Sequence, residues 1–284
     1  MIELLVRIKC KLKFIIFKFM YKGLKPCSII SAKVTLEILL KRLANGENTT
    51  YFRFGDGDIF LLNNKSGRKQ VKTKTLKIEY EKCFGMNGDD IIKSIPIHSI
   101  KYGYDVGMKT GSHLQSDRVA DVLLSLCAKY FIGTKIYSPV ALHHCLIHEI
   151  ELTTKFFKEL KTRCNVFIGS DANNDIILNE LLSPQKIIKT LPRDAYSQIN
   201  NVFKEIDDYL IKVKTEKIIT IVFSCGTTAK ILMKRIRDKY PEKEFYLFDL
   251  GSVIDVFHGR EDWTWVRDHK QELGNSISRI KGRT

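Results

Sequence analysis

Asp56 and Asp58 stand two residues apart in the stretch YFRFGDGD, residues 51–58, with Gly57 between them and Gly55 before them. In an extended backbone the side chains of residues i and i+2 point the same way, so both carboxylates can aim at one point, unobstructed by Gly57. Two carboxylates brought together repel unless a positive charge sits between them. A divalent cation that prefers oxygen ligands, Mg²⁺ or Mn²⁺, answers that need. The same letters also make a solvated Asp-Gly turn. What separates the two readings is the run before them: Tyr51, Phe52 and Phe54 have the aromatic content of a buried strand, and the glycines free the chain to turn sharply after it.

Three other clusters carry chemistry-bearing residues. SCGTTAK, residues 224–230, follows the apolar run IITIVF and precedes a helical pattern. Free backbone N–H groups and the helix dipole at such a junction favour a phosphate; Gly226 permits close approach, and Thr227 and Thr228 offer hydroxyl donors. Threonine capping of a helix would give the same letters, and the cluster is neither a P-loop nor a G-x-G-x-x-G. His144 and His148 lie four apart in HHCLIHE, but Cys145 stands where a zincin helix needs glutamate, so the pair reads as a polar helix surface. Asp255 and His258 follow the last strand-like run and are either a base or substrate contact, or turn residues.

The elements that must position these residues alternate between strand and helix patterns. Residues 35–43 form a short amphipathic helix stopped at Asn45-Gly46, and strand patterns occupy 51–54, 135–138, 165–168, 218–223 and 245–250. Helical spacing marks 117–130, 175–182 and the segment bearing Ala229, Leu232, Met233 and Ile236. Residues 63–75 are polar, strongly basic and without apolar period, an exposed loop. Alternation of this kind predicts an α/β fold, a Rossmann-like, mostly parallel sheet flanked by helices, with ligands at the carboxyl ends of the strands.

The chain has 284 residues, 44% of them hydrophobic, which is ample for a packed core. Its seven cysteines are scattered with no C-x-x-C pair, a pattern of reduced thiols in a cytoplasmic compartment. The formal charge is +15, of which residues 1–25 hold +6. In a helix Arg7, Lys11, Lys18 and Lys22 form one stripe and Leu5, Leu12, Ile16 and Phe19 another, an interfacial pattern suited to an anionic membrane surface. The expected division is therefore a basic amphipathic segment over 1–30 and one catalytic domain over 31–284. The charge alone also suits nucleic acid, but no RNP-like motif or zinc finger accompanies it.

RFGDGD (53–58) resembles the R-[FY]-G-D-G-E signature of the GT-D-fold glycosyltransferases, once grouped as a domain of unknown function. FIGSD (167–171), CGTTAK (225–230, similar to G-P-T-A-K) and FDLGSVID (248–255, similar to D-I-G-H-I-D) continue the resemblance in order. It implies a nucleotide-sugar-dependent hexosyltransferase with Mn²⁺ or Mg²⁺ at Asp56 and Asp58. Asp56, Asp58 and Asp255 would be catalytic, while Arg53, Gly55, Gly57, Gly226, Thr227, Thr228 and Asp249 would contact donor and cofactor. The acceptor would be a glycan, a lipid-linked glycan or a glycoprotein. Asp58 replaces the family's glutamate, Thr227 its proline and Val253 its histidine. D-x-D also suits a metal-dependent phosphotransferase or phosphohydrolase.

Overall fold

The computed structural model describes Leu12 and residues 29–55, 58, 61–62, 71, 73–97, 120, 130–131, 135–213 and 218–282. Asp56, Gly57, nearly all of the basic opening, residues 63–70 of the basic loop and most of the helix expected over 117–130 lie outside the described residues.

In chain order the elements are α1 (Ala32–Asn45), β1 (Thr49–Arg53), α2 (Lys74–Phe84), β2 (Ile91–Ser94), α3 (Ala141–His148), α4 (Ile150–Arg163) and β3 (Cys164–Ser170). There follow α5 (Asp175–Leu182), β4 (Lys186–Thr190), α6 (Ile199–Lys212), β5 (Ile219–Ser224), α7 (Thr227–Lys239), β6 (Phe245–Asp249), α8 (Val253–Phe257), α9 (Thr264–Asp268) and α10 (Lys270–Ile280). The helix ends obey local chemistry. Ser31 caps α1 by accepting from Val34 N, and Gly46 stops it in the left-handed conformation at φ 64°.

Six strands pair in parallel in the order β2-β1-β6-β5-β3-β4. Side chains alternate between two layers, as a pleated strand requires. Phe52, Ile221, Phe223 and Leu247 pack with α2, α6 and α7 on one face. Tyr51, Phe167, Val222, Tyr246 and Phe248 pack on the other with α1, α3, α4, α5 and the C-terminal helices. Both faces are covered, which is why β6 is buried at every residue. β1 and β6 are neighbours, yet the chain leaves β1 for the α2 face and leaves β6 for the α8 face. The carboxyl ends of this pair therefore open a crevice of the kind that binds ligands in doubly wound sheets.

The strand expected over 135–138 is reduced to two isolated bridges, Ile29 to Ile136 and Ser94 to Tyr137. β2, β4, α4 and α10 are additions that the strongest apolar runs did not announce. The HHCLIHE stretch is α3, but it is largely buried rather than a polar surface, with His143 and His144 inside. His144 and His148 do face each other, their rings 4.6 Å apart.

Phe54, just past β1, is fully buried and stacks on Phe84 of α2 at 3.7 Å between ring centroids. That stack fixes where the chain turns toward Asp58. Phe54→Ala should therefore cost about 3–5 kcal/mol, read as a lower urea midpoint with an unchanged slope.

Candidate active site

Three chain segments meet beyond the carboxyl ends of β1, β6 and β5, which are adjacent in the sheet. From the turn after β1 comes Asp58. Its Oδ2 accepts the Gly55 N–H at 2.8 Å, and its Oδ1 accepts the Thr227 hydroxyl at 3.0 Å. From the last position of β6 comes Asp249, whose Oδ1 accepts the Gly251 N–H at 3.0 Å. From one turn inside α7 comes Lys230. Its Nζ lies 2.6 Å from Asp249 Oδ2 and 3.5 Å from Asp58 Oδ2, and it donates to Gly226 O at 3.1 Å.

Lys230 is only 2% exposed, so its charge has exchanged water for these three oxygens. Burial pulls its pKa down, but the charges of Asp249 and then Asp58 more than offset that, and it is raised above the usual lysine value. The ammonium thus stays charged through the neutral range. Tyr80 of α2 is buried nearby, and burial first, then the charge of Asp58, push its phenol well above the ordinary tyrosine range. It remains a protonated hydroxyl.

Gly226 starts α7 at φ 60° and ψ −134°, and a Cβ placed there would meet nothing within 4 Å among the described residues. As far as these residues go the turn leaves room for a ligand, and the conformation is one that only glycine adopts readily. Thr228 is buried, and its hydroxyl has no hydrogen-bond partner among the described residues.

Arg53 lies on the α3 side of the same turn. Its Nε–H donates to Pro139 O at 2.5 Å, and a terminal nitrogen lies 3.3 Å from His143 Nε2. Since arginine only donates, His143 Nε2 is the acceptor in that contact, and the Ser252 hydroxyl also lies 3.2 Å from the same nitrogen. Gly251 sits against the guanidinium: at φ 61° its own Cβ would fall 2.3 Å from an Arg53 nitrogen.

Asp255 is placed differently. Its Oδ1 accepts from Arg260 at 2.7 Å and its Oδ2 from Trp263 Nε1 at 3.1 Å, so its contacts are with these two rather than with Asp58, Asp249 or Lys230. His258 donates from Nδ1 to Ile254 O at 2.8 Å and accepts the Asn174 N–H at Nε2, 2.9 Å away. Together with Arg260, which donates to Ala172 O at 2.6 Å, it clamps α8 to the turn after β3.

Of the expected site residues, the structure brings together Asp58, Asp249, Gly55, Gly226 and Thr227, with Arg53 beside them. Asp56 and Gly57 lie outside the described residues. Lys230 is the member that inspection of the sequence missed. Its signal was available: it lies four residues beyond the glycine that starts the helix, so it projects back over the phosphate-type turn.

The GT-D fold-like domain family matches the chain over residues 30–257, four-fifths of its length. The chain belongs to the GT-D-like family. No curated protein is similar enough to be matched. A glycosyltransferase from Streptococcus sanguinis, from the domain of unknown function 1792, is similar in fold at 17% identity and TM-score 0.51, over 82% of this chain and 84% of that one. Two further structures of that domain, one selenomethionine-substituted and one presenting a distinct glycosyltransferase fold, match at 16% identity and TM-score 0.56, covering 82% of this chain and 80% of each. In this GT-D-like chain the turns after β1, β3, β5 and β6 thus lie along a single sheet edge.

Gly251 is the most constrained of these turn positions. Gly251→Ala should lower stability by about 1–2 kcal/mol from its left-handed backbone alone and push Arg53 off His143. Calorimetry reads the first effect and the His143 ring resonances the second; an unchanged His143 spectrum would show that Arg53 tolerates the methyl.

Proposed function

We propose that this GT-D-like chain is a metal-dependent glycosyltransferase that moves a hexosyl group from a nucleotide-sugar donor to a growing surface glycan, lipid-linked glycan or glycoprotein. The observation that carries the reading is the convergence of Asp58, Asp249 and Lys230 with the open Gly226–Thr227 turn at three adjacent strand ends. A nucleoside diphosphate leaving group needs backbone donors, a helix N-terminus and balanced charge, and these are the features gathered there.

Among the described residues no group of three or more His, Cys, Asp or Glu side chains gathers to hold a metal ion, but Asp58 supplies one ligand of the right kind. Asp58 is a hard oxygen donor whose Oδ1 accepts one hydrogen bond and keeps a lone pair. Asp58, Asp249 and Lys230 sum to one net negative charge, the correct sign for a cation. Mn²⁺ or Mg²⁺ would be held by Asp58 and, from the sequence, Asp56; when bound it acts as a Lewis acid on the leaving diphosphate. The remaining work belongs to the chain. Thr227 and Gly55 orient Asp58, Gly251 orients Asp249, and the N–H groups at the start of α7 would serve as donors to a bound diphosphate. Arg53 holds the turn in place from behind. Asp255 enters as a positioning residue for α8, since its oxygens bind Arg260 and Trp263 rather than the Asp58, Asp249 and Lys230 group.

We place the enzyme in the cytoplasm at the inner membrane face, held there by residues 1–25. Among the described residues no helix is long and apolar enough to cross a membrane. Full-length protein should bind anionic vesicles, and deletion of 1–25 should release it; equal binding to neutral vesicles would remove the electrostatic part.

The transfer reading is tested with Asp58→Asn, which keeps size but removes the charge. Mn²⁺-dependent release of nucleoside diphosphate with a glycosylated acceptor should fall by roughly 100-fold or more, with the circular dichroism spectrum unchanged. Asp58→Glu, the family's usual residue, should keep measurable transfer. Parental rates in Asp58→Asn would sink the reading, and free phosphate as the product would favour a phosphohydrolase instead.

A further inference from the structure

The buried lysine has a part in this site that a diphosphate-binding turn and a metal-binding carboxylate do not by themselves require. Lys230 Nζ has three hydrogens and three oxygen neighbours: Asp249 Oδ2 at 2.6 Å, Gly226 O at 3.1 Å and Asp58 Oδ2 at 3.5 Å. Buried between two carboxylates, the ammonium is not an exposed phosphate hook. It is seated where a cation shared by two carboxylates would sit, at 2% exposure.

We infer that Lys230 is a positioning residue that acts as the resident counter-ion of Asp58 and Asp249, so that a divalent cation is taken up together with an anionic diphosphate rather than before it. The inference rests on the proposed metal and diphosphate site. With the ammonium in place, two carboxylates carry one net negative charge, and a divalent ion arriving at Asp58 meets a positive charge across the same carboxylate. A diphosphate restores the missing negative charge and draws the cation in. Without the ammonium, the two carboxylates are a dianionic trap that binds a divalent ion unaided.

The test is titration of Mn²⁺ alone into metal-free full-length protein, with free Mn²⁺ counted by electron paramagnetic resonance. Even at the dielectric of water, a unit charge about 4 Å from a divalent ion is worth at least about tenfold in affinity. Lys230→Met should therefore bind Mn²⁺ at least about tenfold tighter than the parent, and adding Asp58→Asn to it should abolish the gain. Asp249→Asn, which keeps its shape and its lysine, should bind Mn²⁺ more weakly than the parent. In thermal shift, Mn²⁺ and inorganic pyrophosphate together should raise the parent's melting temperature by more than the sum of each alone, and Mn²⁺ alone should suffice in Lys230→Met. A folded Lys230→Met that binds Mn²⁺ no tighter than the parent overturns the inference. Should that variant not fold, unchanged Mn²⁺ affinity in Asp249→Asn overturns it. These readouts use neither donor sugar nor acceptor, so the counter-ion role can fail while the transfer assay succeeds, and the reverse.

Discussion

A buried ammonium governs the geometry of this site. Taking Lys230, Asp249 and most of Asp58 out of water costs several kcal/mol per ion, on the order of what their mutual attraction returns, and only when geometry and extra hydrogen bonds are good. Each partner is accordingly held by backbone: Asp249 by the Gly251 N–H, Asp58 by the Gly55 N–H, and Lys230 by the Gly226 carbonyl. The triad therefore contributes placement more than net stability. Moving any of these three turns would leave an uncompensated charge inside the protein.

The sheet makes such a meeting possible. All six strands run parallel, so every carboxyl end lies on one edge, and the order β1-β6-β5 sets three turns from distant parts of the chain side by side. The register is direct: Tyr51 pairs with Phe248, and Phe223 pairs with Asp249. Behind them, α2 and α7 are tied together by the Glu79 to Arg235 ion pair at 2.7 Å and by the Cys83 thiol on the Lys230 carbonyl at 3.4 Å. The helix that carries the lysine is thus anchored to the helix that backs the Asp58 turn.

Much of this was legible in the sequence, and the rest was not for identifiable reasons. Central strands buried on both faces read as continuous apolar runs, so β5 and β6 were plain, and the parallel sheet followed from their alternation with helices. Edge strands carry no such run: β2 (IIKS) and β4 (KIIKT) are short and interrupted by lysine, and their pairing is a tertiary fact. The carboxylates announced themselves because glycines surround them. Lys230 stood out less, because among 47 basic residues only its place four residues beyond Gly226 marks it, and that spacing says nothing of burial. Asp255 looked like a site residue for the same reason that Asp249 did, a carboxylate after a strand. Only the positions of Arg260 and Trp263 separate the two.

Gly251 joins the two sides of the site and explains why an arginine belongs in the turn before it. Its N–H holds Asp249 and its carbonyl accepts from Ser224 at 2.9 Å, while its Cα faces the Arg53 guanidinium so closely that a side chain cannot fit. Among the described residues Arg53 pairs with no carboxylate; it donates to Pro139 O and contacts His143. A flat, rigid donor can lie against a glycine and reach both partners, whereas the compact ammonium of lysine on a flexible stem cannot do both. The site thus divides its two innermost cations by shape. The planar one braces the turn from the α3 side against Gly251, and the compact one sits between the carboxylates on the α7 side.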